Sequence, residues 1–498
     1  LRIRVSGFQE ALEEELDLLG VAVVEEKLGE EPFKSLAERY PALSRAAEAE
    51  GFKGSDGQSL LFYPDGRGPR RIFLLGVGGE VDLEKIRVAA ANTALKARET
   101  GARRFGLLAP WEAVEKPRCF EEASLAAHMA LYEYTRYKSE KSGEGEKPRP
   151  EELVMIGGDD EALKAAERGR LIAEAVALAR DVGNAPPSDM NPEGFEREAR
   201  RLAEEKGLVV KVLYKEDLEK LSMNGILGVG RGSGVPPRLV VLEYWGAGRD
   251  KPPVAVVGKG VTFDSGGLGI KRHESMMEMK YDKCGAATVL GLMKAVADLR
   301  LPVNIVGLMP LAENMPGENA YKFGDILRMY NGMTVEIGHT DAEGRLLLAD
   351  ALAYAVDKYK PSEIIDLATL TGSIVIALGN HGAGLYANNE ELAEKLLKAA
   401  EKTGEKLWRM PLWKEYYEQL KSQVADINNV GGRWGGAGTA AAFLSKFVGE
   451  TPWAHLDIAG TAWVQKDGPK KPYYPKGATG YALRLILEHL RSQAPTHH

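Results

Sequence analysis

Cysteine is scarce: Cys119 and Cys284 are the only two in 498 residues, and they stand far apart. That excludes a disulfide scaffold and points to a reducing, cytoplasmic compartment. Long apolar runs are missing too. None approaches the ~20 residues that a membrane-spanning helix needs, and Leu1 to Glu10 holds no apolar signal core. No large charge of one sign accumulates either. The 65 basic side chains face 72 acidic ones, and a net charge of −7 leaves no chain-wide electrostatic footprint for nucleic acid. The chain opens on Leu1 instead of Met and closes on His497-His498, which points to trimming or tagging.

What is present is an ordinary globular composition, 44% hydrophobic and 28% charged. A single core stops growing at about 250–300 residues, so the length implies two domains. Lys138 to Glu151 (KSEKSGEGEKPRPE) is charged and lacks apolar periodicity, so it reads as an exposed loop. A short strand, Leu153–Ile156, follows it. From Glu161 to Val182, Leu163, Ala166, Leu171, Ala175 and Leu178 recur at helical spacing until Pro186-Pro187 forces an extended exit. These features predict an N-terminal α/β domain over 1–160, a connecting helix at about 161–182 and a second domain over 183–498. The first part has its own strand, Ile72–Leu75, running into Gly76-Val77-Gly78-Gly79.

Beyond the prolines, strand-like runs at Val209–Tyr214, Leu239–Tyr244, Val254–Val257, Val303–Leu308 and Ile364–Leu367 alternate with helical stretches, notably Ala286–Leu299 and Leu346–Lys358. Near-continuous Val/Ile/Leu strands separated by helices predict a largely parallel sheet covered on both faces, a three-layer α/β/α domain.

Ligands of such sheets bind beyond the carboxyl ends of the strands. Val254–Val257 leads there into a lysine, Lys259, and a carboxylate, Asp264, among glycines. Lys271 and Asp282 follow, and then Asp341 and Glu343 immediately before a helix. Asp341 and Glu343 alternate, so in an extended segment their carboxylates point the same way. Taken singly, each has a plain explanation: a solvated Asp-X-Glu, Asp282 as a helix N-cap, Lys259 and Lys271 as surface lysines, Arg345 as a helix-start cation. Together, four converging carboxylates need cations to offset their repulsion. Two divalent ions would do so, and a water between them would become a nucleophile near neutral pH.

The segments GKGVTFDSGGLGIK, MKYDKCGAA and HTDAEGRLLLADAL, in this order and spacing, resemble the signature segments of the leucyl (cytosol) aminopeptidase family. The resemblance continues through VGNAPP, PPRLVVLEY, ENMP, DLATLTG and WAHLDIAG, covers nearly all of 180–485, and is loose in the N-terminal third. It implies that 183–498 is a catalytic domain with two metal ions per subunit, Zn²⁺ or Mn²⁺, with Co²⁺ or Mg²⁺ as alternatives. Asp264 and Glu343 would bridge both ions, Lys259 and Asp282 would complete one site, and Asp341 the other. Lys259 would have to be neutral, which an adjacent dication favours.

The resemblance also implies that Lys271 polarises the scissile carbonyl and that Arg345 holds a bicarbonate serving as general base. Met279, Thr369, Leu370, Gly372, Ala459 and Ala462 would wall the pocket for the N-terminal side chain. The implied activity is release of Leu-like residues from peptides with a free N-terminus, by a cytoplasmic homohexamer. Two positions depart from the pattern. His339 stands where the family has Asn and is read as a hydrogen-bonding support, with an additional metal ligand as the alternative. Lys283-Cys284 replace Met and a small residue, with Cys284 read as a packed thiol.

Rival signals are weaker. FDSGG resembles the surroundings of a trypsin-like serine, but only His128 precedes Ser265 and the chain reads as α/β. His273-Glu274 lacks the second His of a zinc helix, and neither Gly228–Gly234 nor Gly258-Lys259-Gly260 has phosphate-loop spacing. A DNA-binding role would rest on the short pairs Arg70-Arg71 and Arg103-Arg104.

Overall fold

The structure, a computed structural model, describes residues 1–139 and 147–494. Half of the charged loop expected at 138–151, namely 140–146, lies outside them, as do His497 and His498. The chain divides into two compact units, Leu1–Glu174 with Lys470–Pro475, and Ala175–Pro469 continued from Lys476. The division falls inside the helix Asp160–Asn184.

The first unit is built on a six-stranded sheet of β1 (Arg2–Ser6), β2 (Leu18–Val23), β3 (Ser59–Phe62), β4 (Ile72–Gly76), β5 (Arg104–Leu108) and β6 (Glu152–Ile156). Their order is β1-β6-β5-β2-β4-β3, and every pair is parallel except the edge pair β3–β4. Strand β2, Leu-Leu-Gly-Val-Ala-Val, is buried along its whole length, as a strand covered on both faces must be. The helix Leu83–Thr100 starts where the Asp82 side chain accepts the Lys85 N–H, and ends at Gly101 in the left-handed region. The two basic pairs are engaged locally. Arg70 pairs with Asp17, Arg103 with Glu151, and Arg104 with Glu14 and Glu152, while Arg71 donates to the Asp17 carbonyl.

The second unit carries a nine-stranded sheet. Its strands are β7 (Val209–Leu213), β8 (Arg238–Trp245), β9 (Val254–Gly258), β10 (Gly260–Asp264), β11 (Asn304–Asn314), β14 (Glu363–Ala368), β15 (Ala383–Ala387), β16 (Leu407–Arg409) and β18 (Trp453–Asp457). The remaining strands, β12 (Ile326–Arg328), β13 (Thr334–Glu336) and β17 (Ile427–Asn428), form a small separate sheet. The large sheet runs β16-β15-β18-β14-β9-β11-β8-β7, with β10 alongside the far end of β11. Its centre, β18-β14-β9-β11, is parallel, as the apolar runs predict. The flanks are not: β8 is antiparallel to β11, β7 to β8, and β15 to β18.

Helices cover both faces. Ala255, Val257, Val306 and Leu308 share a core with Leu346–Ala355 of the helix Gly344–Tyr359. On the opposite face, Gly307 lies against Val289 and Met293 of the helix Cys284–Asp298. The Leu/Ala-rich sequence favours the first of these helices, and Lys360 in the left-handed region, followed by Pro361, stops it. Among the described residues, no helix is long and apolar enough to cross a membrane.

Candidate metal centre

One close backbone approach sets the centre. A Cβ on Gly258 would strike the Gly285 carbonyl, and one on Gly285 would strike the Leu367 carbonyl. Glycine at both positions lets the start of the helix Cys284–Asp298 rest on the ends of β9 and β14. The Ala286 N–H donates to the Lys259 carbonyl at 2.8 Å and the Lys259 N–H to the Leu367 carbonyl at 3.1 Å. Lys259, directly after β9, is thereby held beside Asp282, which lies in the short 3₁₀ helix Met279–Lys283. Asp282 is therefore not the N-cap of the following helix; that place is taken by Lys283.

The Lys259 ammonium donates to Asp282 Oδ1 and to the Thr369 carbonyl, both at 2.8 Å, and lies 2.9 Å from Glu343 Oε1. Asp282 Oδ1 also accepts the Thr369 hydroxyl at 2.8 Å, while its Oδ2 has no hydrogen-bond partner among the described residues. Asp264, at the end of β10, accepts from the Asn314 amide and from the Gly266 N–H, both at 2.8 Å. Lys271 reaches Asp264 at 2.9 Å and Asp341 at 2.5 Å. One ligand atom each from Asp264, Asp341 and Glu343 lies within 4.8 Å of the others. Asp341 sits in a turn and Glu343 has helical dihedrals at the helix start, so a turn, and not the expected alternation along an extended segment, brings them together.

The electrostatics follow from burial. Lys259, Asp264, Asp282 and Glu343 are each at most 5% exposed. Burial pushes the carboxyls of Asp264 and Asp341 above their usual range, and that of Asp282 well above it, despite the lysines that oppose the shift. Burial works against the charge of Lys259 and Lys271, but the surrounding carboxylates outweigh it and hold both ammonium groups above their ordinary range. Four carboxylates against two ammonium groups leave excess negative charge in a buried place, a donor set suited to divalent cations. Arg345 donates to the Asn429 carbonyl at 2.8 Å, and its Nε has no partner among the described residues. Burial lowers its pKa to about 10, against the pull of Glu343 and Asp457.

These groups open into a cavity of about 830 Å³, lined also by Met279, Thr369, Leu370, Gly372 and Ala459. Ala462 is not on that lining; it is 1% exposed, and its N–H donates to the Ile458 carbonyl. His339 lies at the rim, outside the carboxylate cluster. Its Nδ1 accepts the Asp341 N–H at 3.0 Å, the supporting hydrogen bond expected of it. Cys284 is a buried free thiol whose pKa burial pushes up to about 12.

Several contributors escaped the sequence reading. Thr369, expected only as a wall, grips both Lys259 and Asp282. Asn314, at the end of β11, holds Asp264, and its place in Glu313-Asn314-Met315-Pro316 was the available signal. Nothing in the sequence marked Asn429, which lies far from Arg345 along the chain.

Comparison with known proteins gives matches over both parts of the chain. Residues 177–487 match the profile of the cytosol aminopeptidase family, catalytic domain, and residues 19–141 that of its N-terminal domain. The chain is 45% identical over 447 residues to a probable cytosol aminopeptidase of Cenarchaeum symbiosum (strain A), across 89% of this chain and 90% of the relative. Among solved structures, a mutant tomato leucine aminopeptidase superposes with a TM-score of 0.87 at 32% identity, over 99% of this chain and 97% of the other. The bottromycin maturation enzyme BotP in complex with Mn does so with a TM-score of 0.83 at 34% identity, over 96% and 99%.

Proposed function

The chain belongs to the cytosol aminopeptidase family of metal-dependent aminopeptidases, and from that premise we propose that it releases Leu-like N-terminal residues from peptides at the lysine–carboxylate centre. The observation that carries the reading is the pair of ion-pair sets, Lys259 with Asp282 and Glu343, and Lys271 with Asp264 and Asp341, meeting in one open cavity.

Lys259, Asp264, Asp282, Asp341 and Glu343 would hold the two divalent ions that the family resemblance implies. When bound, such ions supply the Lewis acidity that activates water as the nucleophile. Mn²⁺ is a natural first choice, since BotP was solved with it; Zn²⁺, Co²⁺ and Mg²⁺ are the alternatives. Lys271, held charged by its two carboxylates, would donate to the scissile carbonyl and to the oxyanion that forms from it. Arg345 would hold the bicarbonate base, and its Nε, which has no partner among the described residues, is a donor available to an anion. Met279, Leu370, Gly372 and Ala459 would receive the side chain of the first residue. A cytoplasmic homohexamer belongs to the same proposal, checked by light scattering.

The test is a panel of aminoacyl amides assayed after metal removal and after each ion is restored separately. Leucine amide should be cleaved fastest and only with metal. Activity surviving chelation would overturn the reading.

A further inference from the structure

Asp457 ends β18, is 1% exposed, and belongs to none of the ion pairs of the metal centre. Its Oδ1 accepts the Leu370 N–H at 3.2 Å and the Ala459 N–H at 3.3 Å, and its Oδ2 accepts the Thr371 hydroxyl at 2.7 Å. The Thr371 oxygen in turn accepts the Ile374 N–H and so caps the helix Gly372–Leu378. Burial raises the Asp457 carboxyl above its usual range, against the pull of His455, two residues back on the same strand, and of its three donors, and Asp457 in turn acts to raise Arg345.

The donors come from two separate segments. Leu370 and Thr371 follow β14, whereas Ala459 follows β18, and all three residues line the cavity. Strands β14 and β18 are parallel neighbours with Ala368 opposite Asp457, so both segments leave the sheet at the same level. A single buried carboxylate ties them together. The two carboxyl oxygens serve all three donors, where an apolar side chain would leave the buried N–H groups unpaired. The loop is fastened at its other end too, because Thr369 binds Lys259 and Asp282 through its carbonyl and hydroxyl.

We propose that Asp457 is a positioning residue that sets the width of the side-chain pocket and, through it, the choice among apolar N-terminal residues. This rests on reading the cavity as the site for the first residue of a peptide. Asp457 would act on the pocket walls, leaving the metal ligands to their own contacts.

The experiment uses the full chain loaded with Mn²⁺. In Asp457→Asn an NH₂ group replaces one acceptor: in the place of Oδ2 it ends the bond that the Thr371 hydroxyl donates, and in the place of Oδ1 it faces the Leu370 and Ala459 N–H groups. The ratio of kcat/KM for leucine amide to that for alanine amide should fall roughly tenfold, the value of a pocket contact of about one methylene, and mainly through KM. Bound metal should stay at the wild-type level. Thr371→Val, which puts a methyl in place of the hydroxyl and so removes its bond to Asp457 together with the helix cap, should shift the ratio in the same direction by less, and Thr371→Ser, which keeps the hydroxyl, should hold it near the wild-type value. Amide hydrogen exchange across 369–372 and 457–460 should quicken in Asp457→Asn, a readout independent of catalysis.

An unchanged ratio with unchanged exchange overturns the proposal, as does loss of metal in step with loss of selectivity. If Asp457→Asn does not fold, the Thr371 pair decides by the same ratio. If the wild type cleaves no aminoacyl amide, the pocket reading fails, and exchange alone decides whether the clamp exists.

Discussion

The Lys259 ammonium lies 2.9 Å from a carboxylate oxygen of Glu343, and both side chains are at most 3% exposed. Without metal, this lysine is the cation that balances Asp282 and Glu343. Removing one partner of a buried pair leaves an uncompensated charge and costs about 3–5 kcal/mol. The Lys259→Met apoprotein should therefore melt well below the wild type, and Mn²⁺ should recover much of the loss. Thermal unfolding with and without chelator checks this, and an equal deficit in both conditions would count against metal at this site.

Asp264 reaches the cluster from β10 and contributes little to the apolar core. Asp264→Ala should lose activity at least ~100-fold, the scale of removing a group that acts in the transition state, while its circular dichroism spectrum stays that of the wild type. Metal content by mass spectrometry should fall with activity. A fully active variant would remove Asp264 from the proposed centre.

Gly344 opens the helix Gly344–Tyr359, where alanine would ordinarily stabilise by roughly 0.5–1 kcal/mol. Here a Cβ would come within 2.5 Å of Lys259 Cε and 2.8 Å of its Nζ. Gly344→Ala should thus shift Lys259, and kcat should drop with little loss of helicity. Retention of full activity would mean that the lysine tail can move aside without consequence.

Asp350 offers a pH signature. It is fully buried, and its carboxylate accepts the Tyr330 and Ile226 N–H groups at 2.9 and 3.0 Å. Burial raises its pKa to about 7, against those bonds. The native value lies above the unfolded one, so between about pH 4 and 7 the native state holds the extra proton and stability falls as pH rises. Relative to Asp350→Asn, the wild type should lose stability from pH 5 to pH 8, by at most about 1.4 kcal/mol per pH unit for one proton. Melting both proteins at the two pH values tests the sign.

How much was legible depends on whether the information was local. Strands such as Val254–Gly258 announce themselves because a strand buried on both faces must be continuously apolar, and the helix Gly344–Tyr359 because its leucines and alanines persist to a proline. The antiparallel flanks β7, β8 and β15 were not legible, since direction is decided by crossover geometry and leaves no residue pattern. The ligand segments were readable as motifs. The turn that joins Asp341 to Glu343 was not, because alternation suits a strand equally well. Asn429 and Asp457 act across 84 and 87 residues of chain, on Arg345 and on Leu370, and only the folded arrangement reveals them.

The Gly258–Gly285 contact has a consequence for how this site could evolve. Beside Lys259 and Asp282, main chain rests on main chain at Gly258 and Gly285, with no side chain at the contact to lengthen or trim. A Cβ at either glycine would have to push the helix start away from the strand ends. The opposite side of the centre is open to change, since there Asp341 is 31% and Lys271 15% exposed, and the exposed His339 beside them can be exchanged without moving main chain.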